Sequence, residues 1–554
     1  MLAEAPYVPE RRQVPAGKPW DRWALWGIAA AALAAVVWFD LRVSLPSNDD
    51  WVYAWSVRQL VAGHNLRLLP EQSALALVQV VWASLVSLGH PSLTLMRLSL
   101  LPFALLAAVA TFRLSTRLGA RPFWAGLAGL SLIASPIFLS LATTFMTEVF
   151  YLGLLMAAAL AGFYWVEQGR ASLVCGALIL LAGLERQSGV ALVAAVTVGL
   201  LAARSRRTVL PREWFALGAL WLCAPLVLLL PSALGLSTGA HRLAGLVTAN
   251  PLRLVLAATF FPPILGLLLS PFLLALAFAT RARARAPRLL LFGCVALAEA
   301  GALNLGSTAL HGLGLLKYSL WNPGNYLRIS GLNPVLVFGS KPPVYPVALF
   351  LLVQAMAIGT FAAILVYHRV EWTRSGLRAG SLFLMSVAGT QMLPIVQGQI
   401  FDRYLLVVVA PLIPLVAALA SRTTRPKLAA AWAFMVLGLW LGMYVVGEQD
   451  YQAWLVARDR AAQLVYKEVP PSEVQAGYEA NAIYWELPLY ERTGKPVGPL
   501  PSDLYGEPSV NGPPNPRFRL EFAGPGDPRP GVGYWSVAPG RIVIVPLPQP
   551  TAQP

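Results

Sequence analysis

VFYLGLLMAAALAGFYWV, residues 149–166, runs eighteen positions without a charged side chain. Wound as a helix it is about 27 Å long, close to the roughly 30 Å of a bilayer's hydrocarbon layer. Lipid cannot satisfy backbone polar groups, so a spanning run must be a helix or a strand of a closed barrel. The apolar residues here are continuous rather than alternating, which excludes the barrel. Outward from this stretch the same texture recurs, near 23–40, 92–112, 123–142, 171–185, 189–203, 214–234, 254–279, 289–309, 344–366, 380–397, 404–420 and 428–447. The predicted fold class is an all-α polytopic membrane protein of about 13 transmembrane helices. Composition agrees: 57% of the 554 residues are hydrophobic and 12% charged, where a soluble chain carries roughly a quarter charged. Mean hydropathy is +0.61.

The net charge of +16 reflects topology rather than nucleic-acid binding. Residues 1–447 hold 33 Lys/Arg against 14 Asp/Glu, and residues 448–554 hold 9 against 12. The basic residues sit in short loops between apolar runs, whereas a nucleic-acid face would concentrate them and interleave aromatics. Alternate loops, from Arg11 to Lys427, carry 22 of them and the opposite loops 11. The positive-inside rule then predicts a cytoplasmic N-terminus and, with an odd span count, an extracytoplasmic C-terminus. The expected setting is a bacterial cytoplasmic (inner) membrane. Cys175, Cys223 and Cys294 all lie in apolar runs and read as small core residues. Trp23 to Phe39 is long enough to span, with no small-residue cleavage site after it, so no cleavable signal is predicted.

The organisation predicted is a cytoplasmic segment 1–22, a transmembrane domain 23–447 and an extracytoplasmic domain 448–554. Three outer segments are long enough to fold. Residues 41–91 contain SNDDWVYAWSVRQLVAG and an apolar stretch, Ala74 to Leu88, suited to lying at the interface. His311 to Pro343 is rich in Asn, Gly and aromatics. The tail opens with a helical pattern through Lys467 and continues with strand-like pieces at Phe518–Phe522 and Arg541–Val545, predicting a small α/β domain. No internal repeat suggests the symmetric halves common in transporters.

Carboxylates at a membrane boundary are costly unless solvated, paired or used. Asp49 and Asp50 begin a helical stretch whose aromatics, Trp51, Tyr53 and Trp55, are expected at the interface. Adjacent helical side chains diverge by about 100°, so the two acids cannot share a face. Either one faces a cavity while the other caps the helix, or both cap and are solvated. Glu148 interrupts TTFMTEVFY where two spans meet outside, either as a solvated hairpin acid or as a site group. Arg186 in LERQSG pairs with Glu185 or another helix, or binds a phosphate. Arg403 in QIFDRYLL, between Asp402 and Tyr404, either snorkels to the headgroups or offers a forked donor to a phosphate. Tyr53, Arg58, Lys317 and Arg328 are further binding candidates of the same kind. No GxxxxGK[ST] loop, HExxH or paired Cys/His spacing occurs, and the five histidines are scattered. GLSTG at 235–239 matches the serine-elbow pattern by letters alone, with no strand before it.

NDDWVYA, FMTEVFY and FDRYLL, in that order over residues 20–447, resemble the GT-C membrane glycosyltransferases. The nearest branch is glycosyltransferase family 39, with the protein O-mannosyltransferases and the lipid A aminoarabinose transferase. The resemblance implies transfer from a polyprenyl-phosphate sugar donor to a glycan, lipid or protein acceptor, among membrane lipids and without nucleic acid. It implies Asp49 as catalytic base, with Asp50 where the family usually has Glu, and Glu148 as the second outer acid. Arg186 and the Arg403–Tyr404 pair take the places of the family's basic residue near the fifth span and its late Arg-Tyr. A divalent metal ion, if one serves as cofactor, would fall to Asp49, Asp50 and Glu148. One base and a single displacement imply inversion at the anomeric carbon, while a retaining route would need Glu148 as nucleophile. The alternative is a lipid or glycolipid transporter, for which acids inside the bilayer, such as Glu299, would mark a path.

Overall fold

The computed structural model describes chiefly residues 43–233, 265–279, 327–364, 379–396, 402–493 and 513–548, with short breaks. The span expected at 289–309, together with Glu299 and Lys317, lies outside the described residues, as does nearly all of that expected at 23–40.

Helices α1 (Asp50–Val61) and α2 (Leu77–Val86) come first. They are followed by α3 (Leu93–Arg117), α4 (Pro122–Ile133), α5 (Pro136–Ala142), α6 (Thr147–Gln168), α7 (Ser172–Glu185), α8 (Leu192–Ala203), α9 (Pro211–Ala233) and α10 (Leu265–Ala279). Then come α11 (Ala379–Thr390), α12 (Asp402–Ala420) and α13 (Pro426–Tyr466). Among the described residues five helices are long and apolar enough to cross a membrane, or six if α4 and α5 count as one bent span. The chain is an integral membrane protein.

The run expected as one span at 123–142 is broken: α4 and α5 meet at 58°. Ser135 caps α5, accepting a hydrogen bond from the Phe138 N–H at 3.2 Å, and Pro136 starts the new helix without needing a donor. Helix α6 is the bundle's centre, buried on nearly every face. Its Gly153 lets α3 approach so closely that a Cβ there would stand 2.7 Å from the Phe103 carbonyl oxygen, the small-residue contact by which helices pack in lipid. It ends on Gly169 at φ +69°, a left-handed cap that glycine adopts without steric cost.

Helix α13 has 41 residues, about 60 Å of helix and twice a bilayer's hydrocarbon thickness. It passes the boundary expected at 447/448 without a break. Its second half supplies Tyr451, Trp454, Leu455 and Ala461 to a separate core shared with Leu520, Phe522 and Ile542. Those last residues belong to a four-stranded sheet ordered β3–β4–β6–β5. Its strands are β3 (Val474–Gln475), β4 (Phe518–Ala523), β5 (Gly531–Trp535) and β6 (Pro539–Pro546), numbered after the short hairpin β1 (Leu327–Arg328) and β2 (Gly331–Leu332). β3 and β4 run parallel, and the other neighbours antiparallel, with Leu520 opposite Ile544. Both strand-like pieces read from the sequence are strands; β5 had no comparable signal.

Trp51 and Trp55 do not sit at a lipid interface. They are buried in a third core with Leu69 and Ala482, and their rings meet Tyr478 at 6.2 Å and Tyr490 at 5.7 Å edge-on. Tyr478, Ala482 and Tyr490 of the C-terminal region cover both indoles. Tyr53, on the opposite face of α1, is buried in the main core.

Candidate functional site

The start of α6, the end of α7 and the start of α12 lie at one end of the bundle, and α1 lies across them. Four charged side chains from these four stretches converge there. Glu148, in the first turn of α6, places Oε1 2.9 Å from the Arg186 guanidinium and 3.4 Å from that of Arg403. Arg403 in turn is 4.0 Å from Asp49. Arg186 lies with its guanidinium 4.9 Å from the Tyr404 ring centre and 5.8 Å from that of Tyr151, and bonds the Thr147 hydroxyl. Arg403 also faces the Tyr404 ring, at 5.2 Å. Aromatic faces against guanidiniums hold them in a partly dry pocket, where charge acts more strongly than in water.

The two acids at the centre differ in access. The Glu148 side chain is 2% exposed and that of Asp49 20%. Glu148 is occupied by cations, although its Oε2 is buried with no hydrogen-bond partner among the described residues. Asp49 is the more accessible of the two and accepts a 2.8 Å hydrogen bond on Oδ1 from the Tyr478 hydroxyl. Burial pushes its carboxyl above the ordinary aspartate value, with Arg403 and the Tyr478 bond pulling the other way.

Asp50 diverges from Asp49, as successive helical side chains must. Neither acid caps α1 through its side chain. Asp50 is instead fully buried on Arg97, which donates from Nε at 3.2 Å and Nη2 at 2.6 Å to the same carboxylate oxygen. Its other oxygen accepts the Phe145 N–H at 2.8 Å. Asp50 is therefore directed away from the cluster, and it fixes the turn that leads into Glu148. Among the described residues no three acidic, histidine or cysteine side chains group as a metal would need, so Asp49, Asp50 and Glu148 do not form the expected metal set.

Arg186 pairs with Glu148 rather than Glu185. The Glu185 carboxylate turns back to accept the Gln79 N–H of α2 at 2.9 Å, because the chain becomes extended at Arg186 and sends the two side chains apart. Asp402 accepts the Leu327 N–H at 2.9 Å, tying β1 to the start of α12. Tyr53 contributes to the electrostatic surroundings of Arg186. Arg58 is exposed on α1 near Glu491, outside the cluster. Arg328 has its backbone in β1 opposite Gly331, and its side chain lies outside the described residues.

Sequence reasoning missed Arg97 and the C-terminal residues behind Asp49. Arg97 is a lone cation in a predicted span, a signal that was available. The C-terminal residues left no local trace. Ser47 bonds the Tyr451 hydroxyl at 2.8 Å, the Asn48 N–H donates to Glu479 at 3.0 Å, and Glu479 in turn pairs with buried Arg458. Asn48 itself is left-handed, at φ 53°, a conformation asparagine tolerates better than most residues.

No family model matches the sequence, and no curated protein does. Similar solved structures include two of ArnT from Cupriavidus metallidurans. The apo state is 15% identical over 94% of this chain and 98% of that one, with a TM-score of 0.38. The state bound to undecaprenyl phosphate is 16% identical over the same shares, with a TM-score of 0.39. At such values the functional reading rests on the site's own residues.

Proposed function

We propose that the protein is a glycosyltransferase that moves a sugar from a polyprenyl-phosphate donor to an acceptor hydroxyl, with inversion. The supporting observation is the meeting of Asp49, Glu148, Arg186 and Arg403 at one end of the spanning helices. Asp49 is the base: it is the acid with access, and it takes the acceptor's proton as that oxygen attacks the anomeric carbon. The bond from that carbon to the phosphate oxygen breaks, and the electron pair leaves on the phosphate. Arg186 and Arg403 face that developing charge. Two guanidiniums beside one glutamate offer forked donors that suit a phosphodiester. Glu148 holds the arginines and, so occupied, is ill placed to act as a nucleophile. Tyr404 orients both guanidiniums, and Asp50 acts at a distance through Arg97 and the Phe145 turn.

In this reading the site faces the outer side of a bacterial inner membrane, the N-terminus is cytoplasmic, and residues 448–554 form an extracytoplasmic domain behind a transmembrane domain of about thirteen spans. The transporter alternative predicts charge pairs near the middle of the bilayer. The described site pairs lie instead at helix ends, in the first turns of α6 and α12. The test is sugar transfer from radiolabelled polyprenyl-phosphate sugars in membranes bearing folded Asp49→Asn and Glu148→Gln proteins. Both lose transfer on this reading, and full activity in both overturns it.

A further inference from the structure

Asp49 is reached from two sides, and only one of them belongs to the membrane bundle. Oδ2 faces Arg403 at 4.0 Å. Oδ1 accepts the hydroxyl of Tyr478, which lies 429 positions away in the outer domain. That hydroxyl is delivered by a built mount. The Tyr478 ring packs edge-on against Trp51, the second residue of α1. The neighbouring Glu479 carboxylate is fully buried, accepts the Asn48 N–H and pairs with Arg458 of α13. Tyr451, also on α13, holds Ser47. The outer domain thus grips three consecutive residues, 47, 48 and 49, and presents one phenol to the carboxylate.

We infer that Tyr478 is a positioning residue for Asp49, contributed by the outer domain, which holds the carboxylate beside Arg403. This rests on the reading of Asp49 as base, but the hydrogen bond and its effect on the proton can be measured without it. A phenol donating to a carboxylate favours the ionised form. The other charged groups that act on Asp49 are Arg403, Glu148 and Glu479, and none of them changes in Tyr478→Phe. That substitution removes the hydroxyl and keeps the ring against Trp51, so folding is preserved.

The experiment uses the full-length protein in detergent. Dicyclohexylcarbodiimide reacts with protonated carboxyls, and its adduct on the Asp49 peptide is followed by mass spectrometry as pH is varied. The expected result is a labelling midpoint moved up by about one pH unit in Tyr478→Phe, the size of one charge-assisted hydrogen bond. The control is Tyr484→Phe, which removes a phenol bonded at 2.9 Å to Asp459 elsewhere in the outer domain. Its midpoint stays at the wild-type value. An unmoved midpoint in Tyr478→Phe, or an equal movement in Tyr484→Phe, overturns the inference. Should Asp49→Asn keep full sugar transfer while Tyr478→Phe still moves the midpoint, the base assignment falls and the coupling stands.

Discussion

Replacing Arg97 by Met should destabilise the protein far more than replacing any exposed arginine. The Asp50 carboxylate is fully buried, and Arg97 is its cationic partner through two hydrogen bonds. Arg97 also donates to the Val43 and Leu45 carbonyls, at 3.2 and 2.9 Å, holding the strand of chain that enters the site. Methionine fills similar volume but leaves a buried carboxylate with only the Phe145 and Ser47 amides. Removing one member of a buried ion pair costs about 3–5 kcal/mol, roughly two to four powers of ten in the unfolding equilibrium. Adding Asp50→Asn removes the stranded charge, so the double variant should regain much of the loss. The assay is unfolding of purified protein in mixed micelles by added SDS, read by tryptophan fluorescence, for the wild type, both singles and the double. A coupling of about 2 kcal/mol or more is expected from the cycle. Strictly additive losses, or an Arg97→Met protein as stable as wild type, would refute the pairing and its role in setting the Glu148 turn.

Transfer activity should fall as pH drops, because Asp49 must be ionised to accept a proton. Burial raises its pKa, so the acidic limb of log kcat/KM should lie above the ordinary aspartate range. Arg403→Met should move that limb higher still, since Arg403 opposes the rise. Arg58→Ala should leave transfer unchanged, its side chain being exposed and outside the cluster; a large loss in the same radiolabel assay would place it in the site. Gly153→Leu should destabilise by about 1–3 kcal/mol or more, measurable by the same SDS titration, because even a Cβ there meets the Phe103 carbonyl.

How much was legible in the sequence depended on the range of the interaction. Helices such as Thr147–Gln168 and Asp402–Ala420 are declared by runs of apolar residues, since lipid imposes the same demand at every position. The divergence of Asp49 and Asp50 was legible too, as helical geometry alone separates them. The break between α4 and α5 was foreshadowed by Ser135-Pro136, yet hydropathy averages over such a pair. Helix α13 runs to Tyr466, where the helical pattern read through Lys467 put its end, because Glu448 and Asp450 change polarity without disturbing helical periodicity. The convergence of Glu148 with Arg186 and Arg403 was inferable only through a motif resemblance. The link from Tyr478 to Asp49 was not inferable at all, because a single hydrogen bond across 429 positions leaves no pattern in either segment.

The most direct test separates holding the donor from transferring its sugar. Purified protein in nanodiscs is offered an undecaprenyl phosphate probe, with occupancy read by native mass spectrometry, and a panel of radiolabelled polyprenyl-phosphate sugars with membrane extract as acceptor source. Asp49→Asn should bind the lipid phosphate as the wild type does and transfer nothing, while Arg186→Met/Arg403→Met should lose the lipid itself. A wild-type protein that binds no polyprenyl phosphate, or an Asp49→Asn protein that transfers at the wild-type rate, would contradict the account.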